Sequence, residues 1–145
     1  MKKKRFILIF SLFAFSFLSM KSQSVEVVIS GIRSEKGQIV IGVFKDNESF
    51  KIEKAFLSKK FDKKGISKGE MTVKFDLEAG TWGLSLLDDE NSNGKMEYKV
   101  LGIPKEGFGF SDYYHKGLKK PKFDAFKFDL KDGQKKKINI KIKYM

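Results

Sequence analysis

Residues 71–77, Met-Thr-Val-Lys-Phe-Asp-Leu, alternate apolar and polar side chains without a break. Met71, Val73, Phe75 and Leu77 fall on one side of an extended chain, and Thr72, Lys74 and Asp76 on the other. A period of two is that of a strand with one face in a core and one in water. The same period recurs upstream, in Val25, Val27, Ile29 and in Ile39, Ile41, Val43. Downstream it appears in Trp82, Leu84, Leu86, in Phe126, Phe128, Leu130, and in Ile138, Ile140, Ile142, Tyr144 against Lys137, Asn139, Lys141 and Lys143. Ser49 to Lys60 reads as one or two helical turns, with a further strand near Leu57 to Asp62.

Glycines at 31, 37, 65, 69, 80, 94 and 133 fall between these runs, where the chain must turn. No long amphipathic helix is present, so the crossovers of a parallel sheet are missing. The pattern predicts an all-β fold: a single antiparallel β-sandwich of about seven strands, immunoglobulin-like or transthyretin-like in general form, over residues 23–145.

The beginning of the chain has a different grammar. Lys2, Lys3, Lys4 and Arg5 precede an apolar stretch, Phe6 to Met20, and then Lys21-Ser22-Gln23-Ser24. A spanning helix needs roughly 18 or more apolar residues, so the layout fits a secretory signal peptide over residues 1–22 better than an uncleaved anchor, and cleavage after Ser22 or Ser24 satisfies the small-residue rule equally. The protein is therefore expected to be exported, periplasmic or secreted. The chain of 145 residues contains no Cys and one His, which excludes disulfides, thiolate metal sites, a cysteine nucleophile and any site built on two imidazoles. Its formal charge is +12, and five basic residues lie in the first 22, which leaves +7 for the remainder. A Cys-free exported domain must rely on packing.

From Phe75 onward the sequence resembles the DUF2141 family of small exported bacterial proteins. The resemblance rests on Asp89-Glu90-Asn91-x-Asn93-Gly94-Lys95 and on Gly102-Ile103-Pro104-Lys105-Glu106-Gly107-x-Gly109-Phe110-Ser111, with Pro121-Lys-Phe-Asp-Ala-Phe-Lys-Phe128 beyond. It departs from the usual pattern at Asp88, where the family often has His, and at Glu97, where it often has Asp. The resemblance implies a sandwich and export, and brings no catalytic residues with it.

Asp89, Asn91 and Asn93 stand at alternate positions before Gly94, like the first half of an EF-hand loop; the Lys95 carbonyl and Glu97 would be further ligands. Calcium is thus a candidate cofactor. The twelfth position of that register is Val100, so the closing bidentate Glu is absent. The alternative is a hairpin tip, since Asn and Asp cap their own backbone and Asn93-Gly94 is a strong two-residue turn signal; the sequence favours the turn.

Gly102 to Leu118 is long and rich in glycine and aromatics. Phe108, Phe110, Tyr113 and Tyr114, with Lys105 and Glu106, are candidate ligand-binding residues for sugar or peptide stacking. The competing expectation is that Phe108 and Phe110 plug the open end of the sandwich. Ser111, Asp112 and His115 are the residue types of a triad but lie within five positions, too close for convergence from rigid supports. His115 is read as an exposed loop residue. Asp88, Asp89, Glu90 and Glu106 could pair for glycoside hydrolysis, but a hairpin tip would expose them and leave their acidity ordinary. No catalytic residues are assigned.

Lysines 119, 120, 122, 135–137, 141 and 143 crowd the C-terminal part. They read as a solvated strand face that discourages edge pairing, with anionic polysaccharide as the alternative partner. Nucleic acid is disfavoured, because Arg33 is the one arginine after the first 22 residues. The sequence predicts a non-enzymatic envelope protein that binds or builds, with calcium-dependent recognition of a glycan or protein by the Asp89–Glu97 loop as the alternative.

Overall fold

A computed structural model describes residues 23–145; the segment read as a signal peptide lies outside them. Eight strands form two sheets. In chain order they are β1 (Ser24–Ser30), β2 (Gln38–Phe44), β3 (Leu57–Asp62), β4 (Glu70–Asp76), β5 (Gly80–Asp89), β6 (Gly107–Phe110), β7 (Lys127–Leu130) and β8 (Lys135–Lys141), with one short helix, α1 (Asn47–Lys51). The smaller sheet has the order β4-β1-β8, and the larger runs β3-β2-β5-β6, with β7 also on β5. β5 is long enough to seat both short strands on one edge: Gly80–Gly83 pair with β7 and Ser85–Asp88 with β6. The fold is the all-β sandwich that the period of two predicts. One pairing is parallel: β1 meets β8 in register Ser24↔Lys135 to Ser30↔Lys141, and the crossover it requires is nearly the whole domain rather than a helix.

The core between the sheets is mostly aliphatic. Val25, Val27, Ile29, Ile39, Ile41, Val43, Leu84, Leu86, Ile138 and Ile140 are buried in one cluster with Val73, Phe75, Trp82 and Phe128. At roughly 1.5–3 kcal/mol for each fully buried side chain of this kind, burial is the main force holding the sheets together. Both sheets and both hydrophobic clusters lie within residues 24–145.

A second cluster, Phe44, Phe50, Phe110, Phe123 and Phe126, covers the opposite, outer face of the large sheet. α1 supplies Phe50, and its first turn is capped by Asp46, whose Oδ1 accepts from the Ser49 N–H at 2.7 Å. Phe50 meets Phe44 and Phe126 edge to face at 5.2 and 4.7 Å between ring centroids. Gly83 makes this layer possible, since a Cβ there would lie 2.6 Å from the Phe126 ring and 2.7 Å from the Phe123 ring. Phe108 and Phe110 belong to this outer layer, which corrects their expected role as an end plug of the sandwich.

The eighth strand, β6, lies inside the segment read as a glycine-aromatic loop. Its sequence, Gly-Phe-Gly-Phe, shows no apolar–polar alternation because its inward residues are glycines. A Cβ at Gly107 would approach Tyr144 to 2.4 Å and Ile142 to 2.6 Å, and one at Gly109 would approach Ile140 to 2.5 Å. β6 thus lies close against the C-terminal segment; Phe108 and Lys143 exchange backbone hydrogen bonds of 3.0 and 2.8 Å that stitch the two sheets together.

Candidate functional site

Adjacent residues of β5 face opposite ways, and each side holds a different assembly. Inward, Asp88 continues the parity of Leu84 and Leu86 and is fully buried; Asp89, on the opposite parity at the strand end, is fully buried as well. Their expected exposure on a hairpin tip is thus corrected. The Asp88 carboxylate accepts from Lys63 Nζ on one oxygen and from the Tyr144 hydroxyl, at 2.5 Å, on the other. Lys63 is itself fully buried and also donates to the Ser34 carbonyl at 3.0 Å. Burial, then the Asp88 carboxylate, pushes the Tyr144 hydroxyl well above its ordinary pKa. Arg33 stacks 4.2 Å above the Tyr144 ring and grips Glu90 with two hydrogen bonds of 2.9 and 2.6 Å. That bidentate contact holds the Glu90 carboxyl below its usual range. This network closes one end of the core with its charges paired.

Past β5 the candidate calcium loop folds around its own side chains. Asp89 Oδ1 accepts from the Asn93 N–H at 3.0 Å, and Oδ2 from the Gly94 N–H at 2.8 Å and Gln38 Nε2 at 2.6 Å. Asn91 Oδ1 accepts from the Asn93 N–H, Asn93 Oδ1 from the Lys95 N–H, and Asn91 Nδ2 donates to Glu97 Oε2 at 2.7 Å. The alternating oxygens thus serve the backbone, as Asx turns do. Among the described residues no three His, Cys, Asp or Glu side chains are gathered where they could hold a metal ion. The Asn93-Gly94 turn is not the tip of a two-residue hairpin: residues 90–106 separate β5 from β6, which makes it one bend in a long connection.

Two other expectations on loop residues change. Glu106 is buried, with no hydrogen-bond partner for either oxygen among the described residues. Burial, and then the nearby carboxylates of Asp89, Glu97 and Asp88, raises its pKa above the usual carboxylate range, against the opposing pull of the Glu97 backbone. His115 is buried rather than exposed, packed 6.0 Å from the Phe110 and Tyr113 rings, with Nδ1 unpartnered among the described residues. Burial, with help from Lys143, lowers its pKa. Ser111 is buried too, donating to the Phe126 carbonyl and accepting from the Leu84 N–H at 2.9 Å, while Asp112 takes the Asn139 N–H at 2.8 Å. Ser111 and Asp112 are therefore anchors that tie this segment to β5, to Phe126 before β7, and to β8.

Outward from β5 lies a cleft of about 510 Å³. Its floor is two rows across three strands, Val40–Leu87–Phe108 and Gly42–Ser85–Phe110, set by the register of β2, β5 and β6. A Cβ at Gly42 would meet the Phe44 ring at 3.0 Å and Ser85 Oγ at 3.3 Å, so glycine keeps the floor low there. Phe50 and His115 form part of the wall, with Lys95, Met96 and Tyr98 on one rim and Gly117 and Leu118 on the other. Lys120 and Glu53, paired at 2.9 Å, stand at one side. The volume falls within the range of small-molecule sites, and the lining has the apolar floor with few polar groups that such sites share. Of the sequence candidates, Phe108, Phe110 and Lys95 line the cleft; Lys105, Tyr113, Tyr114, Asp89, Asn91, Asn93, Glu97 and Glu106 do not. Lys105 is exposed, and its N–H donates to the Glu97 carbonyl at 2.9 Å. Tyr113 packs against the outer cluster, and Tyr114 sits beneath Lys141.

Sequence comparison adds the lineage. Residues 27–139 match the family model described as an uncharacterized protein conserved in bacteria, DUF2141. The chain belongs to the DUF2141 family. The match runs from β1 into β8 and so includes both faces of β5. No curated protein and no solved structure matches this DUF2141 chain.

Proposed function

We propose that this DUF2141 protein is an exported, non-enzymatic binding module of the cell envelope that takes an apolar or aromatic small molecule into the cleft on the outer face of its large sheet. The observation that carries this reading is the Val40–Leu87–Phe108 row, a flat apolar floor under a 510 Å³ space between two loop rims. Export is supported by the basic cluster and the 15-residue apolar stretch at the start of the chain. The non-enzymatic reading is supported by the anchoring roles of Ser111 and Asp112, and by a cleft lining whose one acidic side chain among the described residues, Glu53, is paired with Lys120. Calcium-dependent recognition of an envelope glycan or protein draws on the spacing of Asp89, Asn91 and Asn93, yet those oxygens already hold backbone N–H groups.

The probe N-phenyl-1-naphthylamine tests the cleft. Its fluorescence should rise saturably with the wild-type protein, and Ser85→Phe, which fills the floor, should weaken binding at least about tenfold. A wild-type protein that gives no saturable rise, or a Ser85→Phe variant that binds equally well while folded, would refute the reading.

A further inference from the structure

Two loop tips beside the cleft leave aliphatic side chains in water. Val100 and Leu101 are 84% and 93% exposed, and Leu118 is 83% exposed. Single exposed aliphatics are ordinary on a protein surface. These three are not scattered, because Tyr98 and Gly102 of the first tip and Leu118 of the second border the same apolar opening. The first tip is also held in shape by its backbone. The Lys99 N–H donates to the Ile103 carbonyl at 2.7 Å and the Gly102 N–H to the Lys99 carbonyl at 3.2 Å, around a Leu101 with φ of +66°. That left-handed conformation is disfavoured for a residue with a Cβ. The fold thus displays Leu101 against both its burial preference and its backbone preference.

The charges around the tips are mostly positive; the exposed Glu53 carboxylate, which pairs with Lys120 and accepts from the Tyr98 hydroxyl, is an acidic group among them. Lys99 and Lys105 flank the first tip, Lys116, Lys119 and Lys120 flank the second, and all five are exposed. Neither 98–105 nor 113–123 contains an acidic residue. We propose that this rim docks on an anionic lipid bilayer, with Val100, Leu101 and Leu118 entering the acyl boundary and the lysines meeting headgroup phosphates. Lysine stems can follow the aliphatic tips inward while their ammonium groups stay at headgroup level. A protein partner fits less well. A stable protein interface needs roughly 800 Å² on each side with charge depleted at its centre, whereas here exposed lysines flank both apolar tips. A surface whose apolar layer lies beneath a charged one suits that arrangement. The docked orientation would open the apolar cleft toward the lipid phase.

The experiment is co-sedimentation of residues 23–145, which hold both sheets and both clusters, with phosphatidylcholine vesicles with and without phosphatidylglycerol. Wild-type protein should bind the phosphatidylglycerol vesicles, and Val100→Ser/Leu101→Ser/Leu118→Ser should lose more than about tenfold in affinity with its melting temperature unchanged. The emission of Leu101→Trp should shift to the blue on adding the same vesicles. No wild-type binding, equal binding by the triple variant, or an unshifted emission would overturn the proposal. Ser85→Phe, which alters the cleft floor and not the rim, should bind vesicles like wild type, so failure of the cleft reading and failure of the docking reading are separable.

Discussion

Leu87 and Asp88 are neighbours on β5, yet they belong to opposite kinds of surface. Asp88 faces inward, fully buried, with both carboxylate oxygens engaged by Lys63 and Tyr144. Leu87 faces outward into a cleft and is half-buried. The inward side carries polar groups in a closed place, and the outward side carries apolar groups in an open one. Each is the reverse of what its location ordinarily favours. The inner reversal is resolved within the fold, because Lys63 and the Tyr144 hydroxyl between them engage both Asp88 oxygens. The outer one is not, and an unresolved apolar surface over a rigid sheet is where a binding partner would act.

The largest effect should come from breaking the inner side. Lys63→Met leaves the Asp88 carboxylate buried with only the Tyr144 hydroxyl, and loss of one member of a buried pair costs about 3–5 kcal/mol. Urea or thermal unfolding should show that loss. The double variant Lys63→Met/Asp88→Leu removes both charges and should recover most of it, because apolar replacement of a whole buried pair is often close to neutral. Binding of N-phenyl-1-naphthylamine should persist in the double variant, since neither residue lines the cleft. If Lys63→Met alone costs nothing, the two sides of β5 do not differ as described.

Asp89 ties the inner side to the rim of the outer one. Asp89→Ala frees the Gly94 N–H and the Gln38 amide and leaves the Asn93 N–H to Asn91 Oδ1 alone, and should cost about 1–3 kcal/mol. Loosening this bend should also weaken probe binding through the rim residues Lys95 and Met96, with vesicle docking less affected. Millimolar calcium should move the wild-type melting temperature by less than about 1 °C; a larger rise that disappears in Asp89→Ala would favour the calcium reading instead.

How far the sequence disclosed this arrangement depended on whether a residue's neighbours keep its period. β1, β2, β4, β5 and β8 are visible because apolar residues occupy every second position. β6 was hidden because packing against Ile140, Ile142 and Tyr144 demands glycine at just the positions where a strand signal needs side chains. Asp88 was legible in principle, as the next inward position after Leu84 and Leu86, but its chemistry suggested a loop tip. Lys63 carried no signal, one lysine in a chain crowded with them, because its partner lies 25 residues away and only the folded chain brings the two together. Phe108 and Phe110 were found as site candidates by composition, whereas Val40, Gly42 and Leu87 were not, since strand residues facing a cleft look like any half-buried strand. His115 and Glu106 were misplaced for a related reason: loop segments that fold back onto a sheet bury polar residues without any periodic warning.

The smallest predicted effect concerns Glu106, and its sign separates a sealed side from an open one. Glu106 is buried without a hydrogen-bond partner among the described residues, so the folded protein favours its neutral form and its pKa is raised from the ordinary 4.5. Over the pH range between the unfolded and the folded pKa, the folded state holds a proton that the unfolded chain has released. Stability must then fall as pH rises through that range, and the loss is complete once Glu106 ionises in both states. Glu106→Gln keeps the shape without the charge. It should match wild type below pH 4.5, where both carry a neutral group, and become the more stable of the two as pH rises toward neutrality. Chemical denaturation of both proteins between about pH 4 and 8 measures the difference. Equal stability across the range would mean that the Glu106 carboxylate reaches water or a cation when it ionises, and that side of β5 would then be open as well.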